Sequence, residues 1–174
     1  MLRRVDTRQI YSPASYLHVT LKELGWLGEN VGREKLPKVL EIIEEVASEQ
    51  APFDLSLEGI GVFPDVIYGR VGRGASEIRR MNARLVQRLG DEAIQRWYDG
   101  ANMKPHVSMV HFTTRDVEPL LHRAKQLETR FIGKMKVRKI QVKKSFPHRL
   151  FEKKAAGGRP RVVSEPLAAF QLGS

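Results

Sequence analysis

Taken in order, the periodic segments of this 174-residue chain predict an α+β or α/β protein folded as one domain. Three observations carry that reading. Alternating runs and helix-spaced runs follow one another in the order strand, helix, hairpin, helix, strand, helix, hairpin. A short signal occurs twice, His18-Val19-Thr20 and Lys104-Pro105-His106-Val107-Ser108, each time at the head of an apolar run, so the two halves echo each other. Hydrophobic residues make up 41% and charged residues 29% of the chain, enough at this length for a core without disulfides.

Residues 16–24 read as a strand that carries the first signal, ends at Gly25 and precedes a glycine-containing loop through Gly32. Residues 34–50 place Leu36, Val39, Leu40, Ile43, Val46 and Ala47 at helical spacing, with Pro37 tolerated in the first turn. Phe53, Leu55 and Leu57 alternate as in a strand, residues 59–64 read as a turn and 65–71 as a second strand, which makes a hairpin. Ser76 is placed to cap a helix reaching Leu89, with Ile78, Met81, Leu85 and Leu89 on one stripe. A short helical piece over 91–98 follows, closed by Gly100.

The second signal opens a strand over 106–113, and residues 117–128 form a helix with Val117, Leu120, Leu121, Ala124 and Leu127 inward. Residues 137–144 alternate basic and apolar side chains, a half-buried strand with a basic outer face. Residues 146–161 read as a loop or hairpin tip, and 166–172 return as a final strand.

The chain has no cysteine, which removes disulfides, thiolate nucleophiles, zinc ribbons and iron–sulfur clusters together and leaves His, carboxylate, hydroxyl or Lys for any catalysis. No apolar run approaches the roughly 20 residues that span a bilayer. The basic start, residues 1–6, has no apolar stretch after it and does not read as a signal peptide, so the expected location is the cytoplasm. A net charge of +10 attracts polyanions through phosphate contacts and counterion release. That charge is uneven, because residues 130–161 hold 12 Lys or Arg against the single acid Glu152, a candidate footprint for nucleic acid. A solubilising basic face is the plainer alternative, and salt-dependent RNA binding separates the two.

On a strand side chains alternate faces, so His18 and Thr20 project to one side, as do His106 and Ser108. Strands lying side by side would bring two imidazoles and two hydroxyls into one space, an apparatus for acid/base work on a phosphate. The bare triplet is cheap, since His111-Phe112-Thr113 is a third match that on a regular strand faces away from His106. Gly69-x-x-Gly72-x-Gly74, with Arg70 and Arg73, fits neither a P-loop nor a dinucleotide fingerprint and reads better as a glycine turn than as a phosphate cradle. His122 and His148 read as solvated. Lys136, Arg138, Lys143 and Lys144 read equally as an exposed face or as contacts to an RNA backbone.

The ordered set of motifs resembles the two-histidine (2H) phosphoesterases, and within them the RNA 2′,3′-cyclic phosphodiesterases also called 2′-5′ RNA ligases. The resemblance lies in Leu17-His18-Val19-Thr20-Leu21-Lys22-Glu23-Leu24-Gly25, in Lys104-Pro105-His106-Val107-Ser108-Met109, and in the hairpin 53–57, 59–64 and 66–68 with its Phe63-Pro64 turn. It implies an α+β fold, bilobed and pseudo-symmetric, with two antiparallel sheets flanked by helices and a central groove. The whole chain, 1–174, would be a single such domain.

With only 17 residues before His18, the strand and helix that family members carry there would be missing or shortened. The resemblance further implies hydrolysis of 2′,3′-cyclic phosphate RNA ends to 2′-phosphates, without metal or cofactor. His106 would be the proton acceptor, His18 the proton donor, and Thr20 and Ser108 the donors to phosphate oxygens. Tyr68, as a base-stacking aromatic, and Lys143 and Lys144 would bind substrate. His111 would too, standing where the family often has Arg. Partners would be RNA ends, tRNA-derived ones among them, with no membrane and a monomeric protein. The alternatives are 2′-5′ RNA ligation, the same chemistry reversed, and a non-catalytic RNA-binding protein on the same fold.

Overall fold

The strict alternation of Phe53, Leu55 and Leu57 starts the longest strand, and the main sheet forms around it. The computed structural model describes residues 2–25, 31–145 and 164–173. Its strands are β1 (Ile10–Tyr11), β2 (Phe53–Phe63), β3 (Val66–Val71), β4 (His106–His111), β5 (Phe131–Val137), β6 (Lys139–Ser145) and β7 (Ser164–Gln171). The helices are α1 (Leu36–Ser48), α2 (Ala75–Leu89) and α3 (Glu118–Gln126). One sheet has the order β1-β4-β3-β2-β5, and β6 pairs with β7 in another. Every strand pair among the described residues is antiparallel, which decides for α+β.

Helical spacing does what it predicts. Val39, Ile43, Val46 and Ala47 of α1 and Ile78, Met81, Leu85 and Leu89 of α2 are buried with Phe53 and Leu55 of β2, Val142 of β6 and Leu172. Each large aliphatic side chain so buried contributes about 1.5–3 kcal/mol of transfer free energy. A second cluster joins Leu120, Ala124 and Leu127, from α3 and the residue after it, to Ile60, Ile67 and Val110. Leu57 and Val71 are partners, as are Ile67 and Val110, and Gly69 and Val107. These residues therefore define a core face of the main sheet, and Tyr68 and Arg70 of β3 define the opposite, open face.

The structure corrects several sequence expectations. Gly59 does not start a turn, because β2 continues to Phe63 and Pro64-Asp65 makes the turn. Glu58 and Gly59 form a bulge opposite Arg70, between the Leu57/Val71 and Ile60/Gly69 partners, with Gly59 at φ +84°. A Cβ on Gly59 would collide with the Glu128 carbonyl oxygen. Gly59→Ala is therefore expected to lose about 2 kcal/mol or more of stability, since left-handed backbone alone costs a side chain ~1–3 kcal/mol. An unchanged urea midpoint would contradict this.

Gly74, at φ +86°, caps α2 instead of Ser76, whose hydroxyl donates to the Glu77 carboxylate. Residues 91–98 form only a 3-10 turn, Gly90–Glu92, and then open chain. The strand expected over 137–144 is β6, and a further strand not expected there, β5, precedes it and ends at Val137. The run 16–24 makes a single isolated bridge rather than a strand, after a 3-10 turn at Ala14–Tyr16. Its upper neighbour on the β4 edge is already β1, and its lower half is drawn to the 94–100 loop. Residues 26–30, part of the expected loop, and 146–161, with His148, lie outside the described residues. No helix among the described residues is long and apolar enough to cross a membrane.

Candidate active site

The bridge between Val19 and Val107 is antiparallel. Residues flanking such a bridge oppose each other across the strands, which sets His18 against Ser108 and Thr20 against His106, all four on the open face. β3 extends both lines, because Arg70 is in register with His106 and Tyr68 with Ser108. Two rows result: Thr20, His106, Arg70 in one, and His18, Ser108, Tyr68 in the other. Beside Tyr68 stands Gly61, whose missing side chain makes room for the phenol ring. Phe63 stacks on Tyr68 at 4.1 Å, and the two rings meet His106 edge-on at 5.1 and 5.3 Å.

Both histidines are held the same way. His18 Nδ1 donates to the Tyr16 carbonyl at 2.6 Å, and His106 Nδ1 donates to the Lys104 carbonyl at 2.7 Å. A carbonyl oxygen only accepts, so each Nδ1 carries its hydrogen and each neutral ring keeps Nε2 as its basic nitrogen. Tyr16 also packs edge-on against His18 at 4.9 Å. The echo between the halves thus extends to tautomer and ring orientation.

The first motif is fastened by polar groups that lie behind it. Lys22 is 1% exposed in its side chain and pairs with Asp99, 6% exposed, at 2.7 Å. Its ammonium also donates to the carbonyls of Ile94 and Glu23. Buried Asn82 donates to the Leu21 carbonyl and to Asp99, and accepts from the Gly100 N–H. Burial pushes the Asp99 carboxyl up, but Lys22, the Arg96 N–H and Asn82 outweigh it and hold the group below its ordinary range. Next to this, Arg96 chelates Glu23 and lowers its pKa, while burial and then Glu23 push the Tyr98 phenol up to about 12.

His111 reaches the open face through an irregularity. Val66 pairs with His111 and Ile67 with Val110, but Tyr68 pairs with Ser108, so Met109 is an extra residue in β4. That one residue reverses the parity and turns His111 to the side of His106, contrary to the alternation of a regular strand. Burial lowers the His111 pKa, partly offset by Asp65. A histidine depressed in the folded state contributes stability above its unfolded pKa and loses it as pH falls, because the unfolded chain then binds the extra proton. Urea midpoints should accordingly fall below pH ~6.5, and His111→Phe should flatten that slope.

Lys143 and Lys144 stand on β6, in register with Pro166 and Glu165, in the sheet that does not carry the histidines. Arg70, read from the sequence as part of a glycine turn, is the open-face residue that reasoning missed. It donates to Glu128 at 2.9 Å, and its position two residues after Tyr68 on one strand was the available signal.

Residues 3–144 match the model of the family described as the 2′-5′ RNA ligase superfamily. A protein of Aquifex aeolicus named RNA 2′,3′-cyclic phosphodiesterase is 29% identical over 129 residues, 71% of this chain and 66% of that relative. One of the same name from Methanothermobacter thermautotrophicus is 25% identical over 146 residues, 83% of this chain and 77% of the relative. In fold the chain is similar to the crystal structure of a Thermus thermophilus protein, with a TM-score of 0.65 and 24% identity over 94% of this chain and 82% of that one. It is also similar to E. coli LigT complexed with 3′-AMP, with a TM-score of 0.66 and 16% identity over 95% of this chain and 82% of LigT.

Proposed function

The chain belongs to the 2′-5′ RNA ligase superfamily, and from that premise we propose that it is an RNA 2′,3′-cyclic phosphodiesterase that opens cyclic phosphate ends, tRNA-derived ones among them, to 2′-phosphates. The observation that carries the reading is the Val19–Val107 bridge, with an Nδ1-anchored imidazole on each side of it. In this mechanism His106 Nε2 takes a proton from water as the water oxygen attacks phosphorus. The bond from phosphorus to the 3′-oxygen breaks, and His18, protonated at Nε2, gives its proton to that oxygen. One proton enters the pair and one leaves, so the two rings exchange states over a turnover. Thr20 and Ser108 donate to the non-bridging oxygens, where charge builds in the transition state, and Arg70 adds a fixed positive charge in the His106 row. Two imidazoles supply both acid and base, so the mechanism calls on no metal or cofactor.

The test is incubation of the purified protein with RNA ending in a 2′,3′-cyclic phosphate, with the product phosphate located and EDTA present in a parallel reaction. Expected are a 2′-phosphate product, an unchanged rate in EDTA and a bell-shaped pH profile. Salt-sensitive RNA binding with no turnover would instead identify a non-catalytic RNA-binding protein. Joining of 5′-hydroxyl RNA in preference to hydrolysis would identify a ligase, with that hydroxyl in place of water.

A further inference from the structure

The open face does not end at the histidines. His106 is in register with Arg70, the Glu58-Gly59 bulge lies opposite Arg70, and Glu58 is in register with Phe131 of β5. Ser56 and Glu58 share that face, because the Glu58 carboxylate fills the space over Gly72 and accepts the Ser56 hydroxyl. Lys134 and Lys136 are the partners of Ser56 and Asp54. Together with Arg73 and Met135 these residues line a cleft of about 430 Å³ between β2 and β5. Its β5 side, with Phe131, lies three strand spacings from His106, roughly 14 Å across the sheet.

The lining is built for a polyanion carrying flat rings. Phe131 is 58% exposed, an aromatic face turned to solvent beside cations. Lys134 has no ion-pair partner among the described residues. Arg73 and Lys136 share Asp54 at 3.5 and 3.7 Å, exposed pairs that hold little free energy and that a phosphate can replace. Three cations face two carboxylates, and the whole chain carries +10.

We propose that the open face is a track for the RNA strand 5′ of the reacting end, and that the β2–β5 cleft is its far subsite. There Phe131 stacks on a base while Lys134, Lys136 and Arg73 take phosphates. This inference rests on the histidine pair being the site for the RNA end. A strand stacked at about 3.4 Å per nucleotide reaches the cleft with about four nucleotides, and a mononucleotide does not reach it.

Two readouts test the track. Hydrolysis of a nucleoside 2′,3′-cyclic phosphate is compared with that of an RNA of about six nucleotides carrying the same end. Binding of the RNA ending in a 2′-phosphate is followed separately by fluorescence anisotropy at several salt concentrations. Phe131→Ala should weaken RNA binding and lower kcat/KM for the RNA about tenfold, and leave the mononucleotide rate unchanged. Lys134→Ala should reduce the salt slope by about 0.7. Asp54→Asn, by freeing Arg73 and Lys136, should tighten binding, a gain that misfolding does not produce. Equal effects of Phe131→Ala on both substrates, or none on either, would overturn the track. Cleft-dependent binding in a protein that hydrolyses neither substrate would leave the track standing and remove the catalytic reading instead.

Discussion

His18→Ala and His106→Ala are each expected to lower kcat/KM for cyclic-phosphate-ended RNA by about 10²- to 10⁴-fold, the contribution of one positioned proton transfer. Folding should change little, because each ring makes one hydrogen bond, to a carbonyl two residues before it, on the open face of the sheet. The loss should fall on kcat more than on KM, since both rings act on protons in flight rather than on bound phosphate. The double variant should be scarcely slower than the worse single one, because acid and base work in one step and their removal is not additive. Near-normal hydrolysis by either single variant would overturn the assignment of acid and base to this pair. Circular dichroism and thermal melts on the same preparations separate a chemical loss from an unfolded protein.

Lys22→Ala is the substitution expected to cost most in stability, about 3–5 kcal/mol, although Lys22 sits in the first motif, just after the catalytic candidates His18 and Thr20. Its removal leaves the Asp99 carboxylate buried and short of its cation, and frees the carbonyls of Ile94 and Glu23. In a protein of this size the melting temperature should drop by about 6–20 °C. The pairing is also what holds residues 20–24 against α2 and the 94–100 loop, so partial fraying should misplace Thr20 and His18 before global unfolding. Lys22→Met with Asp99→Leu should melt above Lys22→Ala alone, because the uncompensated charge is gone. A melting temperature for Lys22→Ala equal to that of the unaltered chain would show that the pair carries no net stability.

Much of the fold was legible because it is local. The stripes Val39-Ile43-Val46 and Ile78-Met81-Leu85-Leu89 repeat at the helical period, and helices lie where they predict. The alternation of Phe53, Leu55 and Leu57 likewise marked β2. β5 was missed as a separate strand because it lies at a sheet edge, where Phe131, Ile132 and Met135 stay exposed and leave no clean two-residue pattern. Residues 91–98 read as helical from local spacing, yet their conformation is set by Glu23, Lys22 and Asn82, partners distant in sequence.

Of the candidate site, the sequence alone determined which residues share a face within each motif. Alternation is a property of any extended backbone, so His18 with Thr20 and His106 with Ser108 needed no tertiary information. Only the tertiary structure decided that the two motifs are neighbours, through Val19 and Val107, and that Arg70, Tyr68 and Phe63 complete the surface. It alone brought His111 to that side, since an extra residue at Met109 reverses parity without leaving a mark in the residue types. Register and bulges are settled by which strands pair and what each face must bury, and a one-residue slip inverts every side chain beyond it.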